Sequence, residues 1–442
     1  MAEKGPNKLA KGEGSIYFRA SDARWCGTLT LPSHDGKRRR KTVTGRTETE
    51  ARQKLAQLRK KLLVEGDLPT SSQTFGSWLN VWFQSIALQK IRPGTARTYR
   101  TLLENHIIPA VGSVQLEKLT PAHIRRVADR ITSTPKDPKH PEKGTLTSTY
   151  AGQAYRIMSV ALEYALREGR VSRNVAKLTD APRRTKTKLA IPTVEEARQV
   201  LRTVSGDPSL GIQPDRLASR WWAAFLTAAR QGEVLGLELD RVTDRLDLSW
   251  QLQRVYWEHG CGEPKGKAYP CGAKRGTDCP DRTITFPPDW EHRHLQGGLY
   301  LSRPKTSAGF RIIPLVDPLR TVIEQRKLAA ESEPNPHGLL WTADPKGHRE
   351  LAQPRFLDGS PIDPRADNEA WHAVLARAGV RDARLHDARH TAASMLLAAG
   401  VPQRTRMAIM GHSSYAVTML YEDVDLLQLT DAMTRMSAQI ES

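Results

Sequence analysis

Between Ala181 and Pro192 the chain reads APRRTKTKLAIP, and this stretch limits the possible folds more than any other. It carries a proline near each end, four cations and no acid, a composition that favours an extended, solvated backbone over packing. A chain interrupted this way does not gather its apolar residues into one core. Its 442 residues suffice for roughly two to four domains with cores of their own. Residues 1–68, 73–180 and 189–442 read as separate domains.

The first segment alternates in short β-prone pieces, GSIYFRA, ARWCGTLTL and RRRKTVTG. A helix follows, with Thr47 and Glu50 placed as a capping box and Ala51, Leu55, Leu58 and Leu62 on one face. The second segment predicts helices. Phe75, Trp78, Leu79 and Trp82 follow a Thr74 cap, Pro93 opens a helix holding Tyr99, Leu102 and Leu103, and Thr120-Pro121 opens one with Ile124, Val127 and Ile131. A fourth runs from Tyr150 to Arg167 and stops at Gly169. Beyond the linker, Thr193 and Glu196 cap a new helix. The third segment reads as mostly helical, with a β-rich stretch from about Arg241 to Leu315. The fold class is therefore mainly α with small β-sheets, an α+β chain.

A formal charge of +19 points to a polyanionic partner, because neutralised phosphates release counterions. The first 65 residues alone hold 16 Lys/Arg against 7 Asp/Glu, with a run at Lys37–Lys41 placed at a hairpin, and a β-ribbon fits the DNA major groove. Aromatic residues make up 6% of the chain, which disfavours a stacking platform for single strands, so double-stranded DNA is the expected partner. No apolar run reaches the roughly 18 residues of a membrane span. The N-terminus has no apolar stretch of the secretory kind, so a cytoplasmic site of action is expected.

Five pieces carry chemistry, in chain order: Arg230 with Glu233 in TAARQGEVLGL; Lys305 in SRPKTSAGFRIIPL, where two β-like runs suggest a hairpin; His386 and Arg389 in LHDARH; His412 in MGHSS; and Tyr421 in YEDV. The chain has ten tyrosines, so Tyr421 is singled out only by what precedes it. Phosphodiester transfer needs guanidinium forks for the non-bridging oxygens, a role that suits Arg230 and Arg389. It needs a group that can give up a proton to the leaving oxygen, which lysine can do and arginine cannot, and this suits Lys305. The phenol, with an ordinary pKa near 10, needs a base such as His386, while His412 donates to the phosphate. No acidic cluster suggests a two-metal site, so no cofactor is required for this chemistry.

In this order the motifs resemble those of the tyrosine recombinases of the phage-integrase family, and the resemblance covers nearly the whole chain. It implies a three-domain integrase architecture: an arm-type DNA-binding domain of three strands and a helix, a helical core-binding (SAM-like) domain, and a mixed α/β catalytic domain. It also implies attack by Tyr421 on a scissile phosphate, a 3′-phosphotyrosyl bond and a freed 5′-hydroxyl, without ATP. A homotetramer on DNA attachment sites and a directionality factor belong to the same expectation, as does a bacterial or phage-encoded mobile element. A type IB topoisomerase shares the chemistry, and a non-catalytic DNA-binding regulator shares the charge. The separate basic N-terminal domain favours the integrase over the first, and the Arg-Lys-His-Arg-His-Tyr set tells against the second.

Residues of about 257–297 form a long insertion before Lys305 that holds His259, Cys261, Cys271 and Cys279. Three cysteines and a histidine suit a structural zinc ion, though their spacing is not the Cys-x-x-Cys kind, and reduced thiols in a cytosolic loop are the alternative. After Tyr421 a stripe of Leu426, Leu429, Met433 and Met436 predicts a helix that packs on its own domain or on a neighbouring subunit.

Overall fold

The computed structural model describes residues 7–8, 14–34, 37–66, 73–183, 191–262, 268–304, 309–345, 356–411 and 426–441. The chain divides into two compact units, Met1–Lys186 and Thr187–Ser442. The division falls inside the basic stretch, of which residues 184–190 lie outside the described ones.

In the first unit, strands Asn7–Lys8, Ser15–Arg19, Arg24–His34 and Lys37–Gly45 form an antiparallel sheet in chain order. Three of them follow the alternation in the sequence. The fourth, two residues at the edge, is too short to carry a pattern. The basic run belongs to a strand, with Arg39, Arg40 and Lys41 opposite Leu31, Thr30 and Leu29. The Glu48–Glu65 helix covers the sheet because Leu55 and Leu58 reach Ile16, Leu29 and Leu31 in one apolar cluster. Its cap differs from the expected box. Thr47 Oγ1 accepts the Glu50 N–H at 3.2 Å, but Glu50 accepts from the Arg46 N–H at 2.8 Å, one residue earlier.

The same unit holds a second, larger apolar cluster among the helices Phe75–Trp82, Pro93–Leu102, Pro121–Ser133 and Ser148–Arg167. Every residue of the Phe75, Trp78, Leu79, Trp82 stripe is buried, and Trp78 Nε1 donates to the Ala161 carbonyl at 2.9 Å. Two of these helices continue as π-helical turns, Phe83–Ala87 and Leu103–Ile107. The wider turn advances the register by one residue and keeps Phe83, Ala87 and Leu88 facing the core. A 3.6-residue period does not reveal such a turn.

The second unit is built on helices Val194–Ser205, Ala218–Leu226, Leu319–Ala330, Pro364–Arg377 and Leu385–Ala398. Thr193 and Glu196 form the expected capping box, at 3.1 and 2.6 Å. Trp371 lies at the centre, its ring 5.6 Å from Trp221 and 5.8 Å from Phe225. The β-rich stretch makes two small sheets. Arg245–Asp247 pairs with Ile312–Pro314, and Leu299–Ser302 lies between Gln251–Arg254 and His292–Gln296. This corrects one expectation: the strands on either side of Lys305 do not form a hairpin with each other but join different sheets. The hairpin of this region is His292–Gln296 with Leu299–Ser302, turning at Gly297-Gly298. A Gly-Gly pair between strands is the stronger turn signal. Lys305 itself lies outside the described residues.

The Leu426–Glu441 helix packs on its own unit. Ala432, Met433, Met436 and Ile440 enter the main core, and Gln439 Nε2 donates to the Met395 carbonyl at 2.9 Å. Among the described residues no helix is long and apolar enough to cross a membrane.

Candidate active site

Arg230 caps the short helix Gln231–Leu235, so its backbone and side chain sit beside the third helical residue, Glu233. The Arg230 N–H donates to Glu233 Oε2 at 2.7 Å and Nη1 donates to Oε1 at 2.8 Å. From the strand side Arg311 donates to the same carboxylate with Nη1 at 3.1 Å and Nη2 at 2.7 Å. Glu233 is thus a fully buried carboxylate shared by two guanidinium groups. Burial alone would raise its pKa; the contacts to Arg311 and Arg230 outweigh burial and hold it down at about 2 against an ordinary 4.5.

A third arginine completes the cluster. Arg389, buried on the Leu385–Ala398 helix, donates through Nη1 to the Ala228 carbonyl at 2.6 Å and through Nη2 to the Met410 carbonyl. Burial and then the positive charges of Arg230 and Arg311 push its pKa down to about 9, so it stays charged at neutral pH. Ala228 is held at φ 50°, a left-handed conformation uncommon outside glycine, and its carbonyl is the one that meets Arg389.

The three arginines converge on one backbone feature. The Gln403–Met410 helix ends at Gly411 in a left-handed cap. Its last carbonyls have no helical partner and carry the negative end of the helix dipole. Ile409 O accepts from Arg311 Nε at 2.8 Å, Met410 O accepts from Arg389, and Gly411 O accepts from Arg230 Nη2 at 3.3 Å. Arg230 remains two-fifths exposed, while the Arg389 and Arg311 side chains are buried. Among the described residues, three guanidinium groups against one carboxylate leave two positive charges, only partly offset by the helix end, about half a charge. Such an arrangement suits an anion.

His386 lies one turn before Arg389 on the same helix, its residue surface open to solvent but its ring flanked by that of His390 at 5.3 Å and by the helix. Partial burial, then the charges of His390 and Arg389, lower its pKa below the ordinary 6.5, so the ring is neutral at pH 7 and can accept a proton. The structure therefore brings together Arg230, Arg389 and His386 of the sequence-selected set. His412 and Tyr421, like Lys305, lie outside the described residues. The sequence reading passed over Arg311, although GFRIIPL signals it: a cation flanked by apolar residues, once buried, must find a partner.

Elsewhere in this unit His259, Cys261, Cys271 and Cys279 come together, with one ligand atom of each within 4.8 Å of all the others.

Residues 74–131 match the N-terminal SAM-like domain of phage integrases, and residues 289–426 match the phage integrase family. The second match spans Lys305 to Tyr421 and begins near the end of the insertion. An integrase from Saccharopolyspora erythraea is 32% identical over 433 residues, covering 93% of each chain. A XerC-like tyrosine recombinase from Caldanaerobacter subterraneus subsp. tengcongensis is 22% identical, covering 95% of each. Among solved structures the fold resembles that of the Tn1549 transposon integrase in complex with a circular intermediate DNA, with a TM-score of 0.55 and 16% identity over 83% of this chain and all of that one. The chain belongs to the phage integrase family of tyrosine recombinases. It is a site-specific DNA recombinase, an enzyme that works through a tyrosine nucleophile.

Proposed function

We propose that Tyr421 is the nucleophile, that Arg230 and Arg389 hold the non-bridging oxygens of the scissile phosphate, and that His386 takes the phenolic proton. His412 donates to the phosphate and Lys305 protonates the leaving 5′-oxygen. The product is a 3′-phosphotyrosyl bond whose energy is retained, so a 5′-hydroxyl from a second duplex reverses the step without ATP. The observation that carries this reading is the meeting of three arginines at the carbonyl end of the helix that precedes His412 in the sequence.

The substrates are double-stranded attachment sites of a mobile element that the enzyme integrates and excises. Exchange between two duplexes cuts four strands, and each chain supplies one Tyr421, so four copies act together on DNA. Because the intermediate conserves bond energy, the chemistry has no direction of its own, and a directionality factor supplies one. The basic strand Lys37–Gly45 fits a role in reading arm-type sites. This work takes place in the cytoplasm, on bacterial or phage DNA.

A nicked duplex carrying the element's own junction sequence, which loses its 5′-hydroxyl fragment after cleavage, tests the assignment. Wild-type protein should accumulate a covalent protein–DNA band, and Tyr421→Phe should form none. A band of wild-type strength in Tyr421→Phe removes that residue from the role.

A further inference from the structure

We propose that His259, Cys261, Cys271 and Cys279 form a closed structural zinc site that folds the insertion of the catalytic unit. Tetrahedral coordination at about 2.3 Å for sulfur and about 2.1 Å for nitrogen places two sulfurs about 3.8 Å apart and a sulfur and a nitrogen about 3.6 Å apart. In the structure His259 Nδ1 lies 3.4 Å from Cys271 Sγ and 4.0 Å from Cys261 Sγ, and all four ligand atoms fit within 4.8 Å of each other. All three cysteines are free thiols. Four protein ligands leave no open position, which marks a structural rather than a catalytic ion.

The backbone around the cluster is built to bring these side chains together. An antiparallel bridge between Glu258 and Thr283, with hydrogen bonds of 2.8 and 3.0 Å, closes the loop at its base. Gly260 and Gly276 let other backbone segments approach so closely that a Cβ would stand 2.0 Å from Asp281 O and 2.1 Å from Trp257 O. The Tyr269 ring stacks on the His259 ring at 3.6 Å, nearly parallel, and fixes its orientation. Only Nε2 of that imidazole is buried without a hydrogen bond, so Nδ1 is the nitrogen turned toward the sulfurs.

The loop also offers little apolar surface to fold around. From Glu258 to Thr283 the sequence contains no Val, Ile, Leu, Met, Phe or Trp. The apolar cluster of Val255, Trp290 and Tyr300, with Ile284 and Phe286, lies outside these bounds, at the loop's base. A segment with so little apolar surface does not offset its ordering entropy by burial, and a bound metal supplies the difference. Residues 257–297 carry six Lys/Arg and six Asp/Glu, so the insertion adds nothing to the basic charge of the chain and is not built as a further DNA-binding patch.

The test is the metal content of the purified full-length protein, measured in the absence of DNA. About one zinc per chain is expected. Cys271→Ser and Cys279→Ser should each lower it at least about tenfold, whereas Cys26→Ser, which alters the thiol of the first unit, should keep it. Cobalt(II) exchanged into the wild type should show sulfur-to-cobalt charge-transfer bands and the visible bands of a tetrahedral ion. Chelation should open residues 258–283 to protease before the rest of the unit. Wild-type protein that holds no zinc and gives no thiolate–cobalt spectrum overturns the proposal, as does zinc retained in both cysteine variants. Tyr421→Phe should leave the metal content unchanged, so this result and that of the cleavage assay stand apart.

Discussion

Glu233→Gln removes one charge from the centre of the arginine cluster while keeping the side chain's shape. The wild-type carboxylate accepts from the Arg230 N–H and Nη1 and from both terminal nitrogens of Arg311, at 2.7 to 3.1 Å. In the amide, one of the two acceptor oxygens becomes an NH₂ group facing guanidinium donors. Two independent routes give the cost. A pKa held at about 2 instead of 4.5 corresponds to about 3–4 kcal/mol, at about 1.4 kcal/mol per pH unit. Breaking a buried ion pair by removing one partner costs about 3–5 kcal/mol. Urea unfolding at pH 7 should therefore show a loss of about 3 kcal/mol.

The pH dependence has a definite sign. Because the folded pKa is depressed, the contribution is complete above about 4.5 and is lost as pH falls toward about 2. The gap between wild type and variant should hold steady from pH 7 to 5 and narrow below 4.5. With their shared anchor gone, Arg230 and Arg311 no longer hold position for the phosphate, and covalent cleavage should fall at least about tenfold while DNA binding changes little. A variant within about 0.5 kcal/mol of wild type at pH 7, or a gap that widens as pH falls, would refute the reasoning.

Other measurements probe neighbouring groups. The rate of covalent-complex formation should rise with pH along a limb whose midpoint lies below 6.5, reflecting the lowered pKa of His386, and a midpoint above 6.5 removes His386 as the base. Arg389→Lys should abolish cleavage with DNA affinity kept within about threefold, since a compact ammonium lacks the planar fork by which two separate nitrogens reach Ala228 O and Met410 O; cleavage at wild-type rate counts against the assignment. Arg220 and Asp367 form a buried pair at 2.6 Å whose carboxylate also takes Gln231 Nε2 at 2.8 Å, so Arg220→Leu should lower stability by about 3–5 kcal/mol and Arg220→Leu with Asp367→Leu should recover part of it. Affinity for DNA should fall steeply between 50 and 200 mM salt, and a flat response contradicts a phosphate-dominated interface.

Apolar periodicity and caps reveal most of the helical framework before any coordinates. The stripes of Phe75, Trp78, Leu79 and Trp82 and of Ile124, Val127 and Ile131 are buried as their spacing requires, and Thr193 with Glu196 starts a helix as predicted. Pairing between strands is less legible. The runs around Lys305 look like a hairpin because each is apolar and a turn separates them, yet Leu299–Ser302 pairs with Gln251–Arg254 and His292–Gln296, and Ile312–Pro314 with Arg245–Asp247. The candidate site was legible where chemistry resides in side chains, as at Arg230, His386 and Arg389. It was illegible where chemistry resides in the backbone: the carbonyls of Ala228, Ile409, Met410 and Gly411 orient every arginine of the cluster, and no residue type marks a carbonyl. The destination of the C-terminal stripe was open for a related reason. An apolar face does not state what covers it, and here Met433 and Met436 enter the core of their own unit.

The charge balance of the cluster explains why three arginines share one acid. Had each guanidinium its own carboxylate, the site would be neutral and would bind a phosphate no better than water does. With Glu233 alone, the cluster keeps about two positive charges. A phosphodiester brings one negative charge in its ground state and gathers close to two on the non-bridging oxygens of the pentavalent transition state. On the proposed assignment of the arginines to the scissile phosphate, the excess is matched better by the transition state than by the bound substrate, and that difference lowers a barrier instead of only tightening binding. Burial first, and then the two neighbouring cations, loosen the proton of Arg389. An arriving phosphate removes that strain, and more fully as its charge grows. The carbonyls at Ile409, Met410 and Gly411 keep the repelling groups in place beforehand, so that little reorganisation remains when the phosphorus is attacked.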